Sequence, residues 1–216
     1  MELYLDSANF KEIENANELG FIHGLTTTPT FMYENKIHDV DNTIIKLSNM
    51  VNMLHIEALG EKHTDIINEV YRLLDLGLDK NKTVFKIPIS IEGVKACNIL
   101  IKKGIKVNIH LVYNIQQVYM ALSAGATYIC PLVGRLQDQG YESLSLIKNS
   151  VKIVKEYNYD TKIMFSSVRN KEHVKNALKL KSHAITIPWK VLIGLTENHL
   201  TDIGIEQFNE HMNLIS

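Results

Sequence analysis

One lysine stands in the middle of an apolar, β-branched run: Lys86 in TVFKIPIS, Thr83 to Ser90, with Pro88 two residues on. An ammonium inside a packed strand costs several kcal/mol unless it is paired, so burial favours the neutral amine, which is a nucleophile. Its natural chemistry is Schiff-base formation with a ketone or aldehyde, which makes the carbonyl an electron sink and lets a neighbouring carbon–carbon bond break. That reaction needs groups that move protons, and two carboxylates stand in other strand-like runs, Asp6 at the end of LYLD and Glu57 within MLHIEAL. Taken alone, Asp6 also reads as a helix cap and Glu57 as an ion-pair partner. In KVNIHLVY, alternation sets Asn108 and His110 on one face and Val107, Ile109 and Leu111 on the other, and in KIMFSSVR it sets Ser167 and Arg169 on the face of Phe165. Arg135, in VGRLQDQG, and Arg169 each directly follow a strand run, and two guanidiniums with the Ser167 hydroxyl suit an oxyanion such as phosphate. His110 reads as well as a satisfied core histidine as it does as a proton carrier. The nine histidines show no H-E-x-x-H or other ligand spacing, so no metal and no other cofactor is assigned.

These residues need a frame that brings them to one place. Eight strand-like runs begin at Leu3, Gly24, Met53, Thr83, Lys106, Thr127, Lys162 and Ala184, and stretches of helical period lie between them, such as HTDIINEVYRLLDLG and KEHVKNALKLK. Eight βα units in 216 residues predict an α/β fold, a (β/α)8 TIM barrel, in which a lysine-bearing strand has no solvated edge to occupy. An open doubly wound sheet lacks its support, because no G-x-G-x-x-G fingerprint is present. All four prolines, Pro29, Pro88, Pro131 and Pro188, fall late in or just after the second, fourth, sixth and eighth runs, where a residue without an N–H marks the end of pairing. Those ends form the C-terminal face, where barrel active sites sit. The last segment, LTDIGIEQFNEHMNLIS, reads as an extra amphipathic helix over roughly 201–216, opened by a threonine cap and free to pack on a neighbouring subunit. One domain over 1–216 is expected.

A formal net charge of -1, with 45% hydrophobic residues, gives no general attraction to nucleic acid or to an anionic membrane. The two cysteines, Cys97 and Cys130, build no disulfide framework, and no signal peptide or apolar run of membrane length is visible. The expectation is a cytoplasmic protein that acts on a small molecule.

The blocks LYLDSAN, GLTTTPT, FKIPIS, GIKVNIHLVY, SAGATYICPLVGRL, SSVRN, ITIPWKVL and LTDIGIEQF, in this order, resemble the small transaldolase and fructose-6-phosphate aldolase family of metal-free Schiff-base barrels. That resemblance implies a Schiff-base lysine on the fourth strand, at Lys86, and a catalytic aspartate on the first, at Asp6. Glu57 matches the acidic residue that works through a water in transaldolases, where the aldolases look to carry glutamine. Asn108 matches a residue that binds the dihydroxyacetone unit, and Arg135, Ser167 and Arg169 match the phosphate-binding and mouth-lining positions. Sugar phosphates are the implied substrates, and a homo-oligomer, commonly a decamer of two pentamers, is the implied assembly. Replacing Lys86 with Met is then expected to abolish turnover and leave folding intact.

Four positions depart from the family pattern. The resemblance implies an asparagine holding the dihydroxyacetone hydroxyls where Thr28 stands, and a threonine hydroxyl sharing the catalytic water where His110 stands. Cys130 replaces a serine or alanine, and Leu132 an aromatic residue. The expectation is retained transaldolase-type transfer with altered donor preference. Its alternatives are aldolase-type cleavage, transfer on a ketose with another anion such as a sulfonate, and a barrel that binds sugar phosphates without catalysis.

Overall fold

A computed structural model describes residues 1–215. Strands and helices alternate from the start: β1 (Glu2–Asp6), α1 (Phe10–Glu18), β2 (Gly24–Thr26), then two helices, α2 (Pro29–Glu34) and α3 (Val40–Met50). β3 (Leu54–Glu57), α4 (His63–Asp75), β4 (Thr83–Pro88), α5 (Ile91–Lys102), β5 (Lys106–Val112) and α6 (Ile115–Ser123) follow. β6 (Tyr128–Pro131) leads into α7 (Val133–Asp138) and α8 (Leu144–Glu156), and β7 (Lys162–Phe165), α9 (Lys171–Lys179), β8 (Ala184–Ile187), α10 (Trp189–Ile193) and α11 (His199–Ile215) complete the chain. All eight strands pair in parallel and close, β8 on β1, as the (β/α)8 barrel expected from the alternation.

Two apolar layers account for the pattern. Outward-facing Leu5, Ile56, Phe85, Ile87, Val107, Ile109 and Ile185 pack under the helices. Inside the barrel a smaller set, including Tyr4, Val84, Tyr128, Met164 and Ala184, fills the lower part. Helix starts at the C-terminal face are capped by short polar side chains: Ser90 Oγ accepts from the Gly93 N–H, Asn114 from Gln117 and Asn170 from His173. Capping satisfies the free amides of the first turn and keeps these loops short. The prolines close strands as expected, Pro88 and Pro131 as last strand residues, Pro29 at the start of α2 and Pro188 just before α10.

Strict alternation fails at two places. Leu111 has φ +56° and sits in a register shift between His110 and Val112, so it turns to the barrel mouth instead of staying with Val107 and Ile109. Phe165 faces the helices, its ring 5.8 Å from that of His173. Ser167 reaches the mouth without sharing that face, because β7 has ended and its φ is +60°. Parity therefore placed Ser167 and Leu111 by the wrong rule: a left-handed residue re-aims the chain and resets the alternation.

The terminal helix begins earlier than its threonine suggested. α11 opens at His199, and Asn198, rather than Thr201, caps it by accepting from the Leu200 N–H at 2.9 Å. Ser216 lies outside the described residues. No residue of α11 is buried. Among the described residues, no helix is long and apolar enough to cross a membrane.

Candidate active site

Barrel register sets the centre of the site. Glu57, Lys86 and Asn108 are successive partners across β3, β4 and β5, so their side chains leave one row of the sheet toward the barrel axis. Neighbouring strands lie about 4.8 Å apart, which puts a lysine and a glutamate side by side within reach. Lys86 is 4% exposed, and its Nζ lies 2.8 Å from Glu57 Oε1 and donates to the Thr27 carbonyl at 2.8 Å. The lysine expected to be held neutral by burial thus stands against a carboxylate. Removing it leaves that carboxylate without its partner, which argues for a cost in stability where the sequence led one to expect none.

Glu57 has a second neighbour. His110 Nε2 stands 2.8 Å from Oε2, within hydrogen-bond distance although the angle is not that of a hydrogen bond. Burial pushes the Glu57 carboxyl up, but Lys86 and His110 more than offset it, and the carboxyl lies below the usual range. Burial moves His110 in the opposite chemical sense: desolvation outweighs the pull of Glu57 and holds the ring neutral at ordinary pH.

Across the cavity, Asp6 ends β1. Thr26, its partner in register, donates from Oγ1 to Asp6 Oδ1 at 2.5 Å, and Thr186 of β8 lies 2.5 Å from the same hydroxyl. Desolvation pushes the Asp6 carboxyl up, against the opposing pull of Lys86 and Thr26. A carboxylate raised in this way is a stronger base.

Asp6, Glu57, Lys86 and His110 line one cavity of about 630 Å³ at the C-terminal face. Thr28, Arg135, Ser167 and Arg169 line it too, nearer the rim. Thr28 Oγ1 accepts from the Phe31 N–H at 3.3 Å and so caps α2 while facing the cavity. Arg135 donates to the Tyr113 hydroxyl at 3.2 Å, and Arg169 pairs with Asp138 at 2.9 Å. Both arginines are exposed, and exposed pairs contribute about 0–1 kcal/mol, so either guanidinium is free to turn to an incoming anion. Gly134 lets α7 approach this corner: a Cβ there would meet the Ser167 carbonyl oxygen at 1.9 Å.

Asn108 is not among the side chains that line this cavity; it is fully buried beside Lys86 in register, its Nδ2 3.1 Å from His55 Nδ1, with Oδ1 unpartnered. Sequence reading also missed the hydroxyl chain behind Asp6. Thr26 and Thr186 are polar within apolar runs, which was a signal, but only closure of β8 on β1 brings Thr186 to the Thr26 hydroxyl that Asp6 accepts from. Cys130 lies 2.5 Å from Ser166 Oγ, and burial pushes its thiol up to about 11, away from thiolate reactivity.

Comparisons with known proteins bear on the chain as a whole. The family model described as Transaldolase/Fructose-6-phosphate aldolase matches residues 3–215. A probable transaldolase of Thermoanaerobacter sp. (strain X514) is 39% identical over 97% of this chain and 96% of its own length. Probable transaldolases of Caldicellulosiruptor saccharolyticus and Methanococcus maripaludis (strain C6) are each 38% identical over 96% of this chain and 95% of theirs. With a match that spans the barrel from its first strand to its terminal helix, the chain belongs to the transaldolase/fructose-6-phosphate aldolase family.

Proposed function

We propose that the protein is a transaldolase that moves a dihydroxyacetone unit between sugar phosphates through a Schiff base on Lys86. The observation that carries this reading is the buried Lys86 amine set against Glu57 at 2.8 Å, in a cavity that Asp6 also lines. In the cycle Lys86 gives a proton to Glu57 and attacks the ketone carbon, and the carbinolamine loses water to become an iminium ion. Asp6 then takes the proton of the hydroxyl beside the scissile bond. As that bond breaks, its electrons move into the iminium and leave an enamine on Lys86, and the first aldose phosphate departs. The enamine carbon attacks the carbonyl of a second aldose phosphate, Asp6 returns its proton to the new alkoxide, and hydrolysis frees the product.

Arg135, Arg169 and Ser167 hold the phosphate at the rim, where bidentate guanidinium contacts suit its oxygens. Thr28 faces the donor end, and its hydroxyl proton stays available while its oxygen accepts the cap bond from the Phe31 N–H. Asn108, beside Lys86 in register and with its Oδ1 unpartnered, binds the dihydroxyacetone unit.

The test is borohydride reduction with fructose 6-phosphate, followed by peptide mapping. A dihydroxyacetone-sized adduct on Lys86 supports the reading, and its absence with a panel of ketose phosphates overturns it. We place the protein in the cytoplasm as one domain and a homo-oligomer, a decamer of two pentamers. Support for assembly is α11, whose Leu200, Ile205, Phe208 and Met212 are all exposed. Sedimentation of a monomer would count against it.

A further inference from the structure

Glu57 divides its two oxygens between two nitrogen bases. Oε1 meets Lys86 Nζ at 2.8 Å and Oε2 meets His110 Nε2 at 2.8 Å, with all three side chains no more than 10% exposed. Neither Oε2 nor Nε2 has another partner. A packing histidine in a barrel core would have its ring nitrogens satisfied, since a buried unpaired nitrogen costs stability. His110 instead lines the same cavity as Lys86 and Asp6. Backbone geometry supports the placement. The β5–β6 pairing slips immediately after His110, and Leu111 takes φ +56°, a conformation that costs a non-glycine residue about 1 kcal/mol or more and that clusters at active sites.

We propose that His110 is a catalytic proton carrier of the Schiff-base steps, forming with Glu57 and Lys86 a relay in which no water need intervene between the carboxylate and the ring. The inference rests on the Schiff-base reading above. Lys86 passes an ammonium proton to Glu57, and a turn of the carboxyl about its soft terminal torsion presents that proton to His110 Nε2. The ring becomes imidazolium, Glu57 is again a carboxylate, and the neutral amine attacks the ketone carbon. Glu57 next takes a proton from the new carbon–nitrogen adduct while His110 protonates the alkoxide. When Glu57 delivers its proton to the resulting hydroxyl, water leaves and the nitrogen lone pair closes the iminium bond, with Glu57 ionised and His110 neutral as at the start.

Charged and titratable groups facing His110 are Glu57 from β3, Lys86 from β4, Cys130 opposite it on β6 and Arg135 from α7. Only Glu57 draws a proton to the ring. His110 is therefore a proton acceptor at neutral pH, and its acceptor role ends as the pH falls below the ordinary histidine range.

The experiment follows imine formation by rapid mixing with fructose 6-phosphate and borohydride trapping, as a function of pH, in the wild type, His110→Gln and His110→Ala. Expected are a wild-type rate that falls on the acid side, a loss of about 10²- to 10⁴-fold in imine formation for both variants with little change in KM, and recovery of rate in His110→Ala on adding free imidazole. A folded His110→Gln chain with the wild-type rate and the wild-type pH profile would overturn the relay. Should neither variant fold, a wild-type imine-formation rate that stays flat as the pH is lowered until the chain unfolds would overturn it. Absence of any Lys86 adduct in the wild type is a separate result and strikes the Schiff-base reading itself.

Discussion

Lys86 and Glu57 face each other in the β3–β4 register, and their charged atoms meet at 2.8 Å with side chains 6% and 8% exposed. Taking away one member of a buried pair costs about 3–5 kcal/mol, because the other charge is left without compensation. Lys86→Met is expected to lose both the covalent adduct and stability of that order. Adding Glu57→Gln should return most of the stability and none of the turnover. Urea melts of the wild type, the single and the double variant decide this, and equal stabilities for the two variants would refute the pairing.

Asp6 carries the opposite thermodynamic sign. Its carboxyl is pushed up by burial, so its contribution to stability is present below the ordinary value of 3.8 and is lost as the pH rises through the raised value. Once ionised, the group opposes folding. Asp6→Asn keeps an acceptor for the Thr26 hydroxyl and removes the charge, so it should melt higher than the wild type at pH 7 while turnover falls by about 10²- to 10⁴-fold. The stability difference should shrink as the pH is lowered toward 3.8.

At the rim, Arg135→Ala and Arg169→Ala should each raise KM for a phosphorylated acceptor by about 10- to 100-fold, the worth of a charged hydrogen bond. Borohydride trapping on Lys86 should persist in both. An unphosphorylated aldehyde acceptor is the control, and a matching loss with it would remove the phosphate assignment.

Acid stability follows from buried neutral histidines. His55 is fully buried against Tyr4 and Tyr128, and burial, reinforced by Lys86, holds it far below the usual value of 6.5; His110 is shifted the same way. Groups depressed in the folded state give stability that is complete above 6.5 and lost as the pH falls below it. Glu57, also depressed, adds a loss below 4.5. Stability by urea melts should thus decline from pH 7 to pH 5, and His55→Gln should flatten that decline.

Gly134→Ala tests the close approach of α7 to the rim. Its methyl would overlap the Ser167 carbonyl oxygen, so the corner must shift, at a cost of about 1–3 kcal/mol. KM for phosphorylated substrates should rise with it. A variant that melts and binds like the wild type would show that Ser167 has room to move.

Much of this was legible in one dimension. β-branched runs spaced by amphipathic stretches gave eight strands in their observed order, because period-two and period-3.6 patterns are local properties of the chain. Lys86, Asp6 and Glu57 stood out as charges in or at the ends of such runs, and they line one cavity. Alternation failed at Leu111 and Ser167, where non-glycine residues take positive φ, a state that no composition pattern announces. Asn108 was placed on the inward face, where it stands in register with Lys86; alternation gives inward or outward and not which side chains line the cavity.

By itself, then, the sequence determined the order of the βα units, the family and the residues able to do the chemistry. Only the tertiary structure decided how those residues are paired: Lys86 with Glu57, Glu57 with His110, and Asp6 with the Thr26 hydroxyl of β2, which in turn meets Thr186 of β8, residues up to 160 positions apart in the chain. The physical reason is closure. A sheet that joins its last strand to its first converts distant side chains into neighbours, and inside it each buried charge must find a partner from another strand.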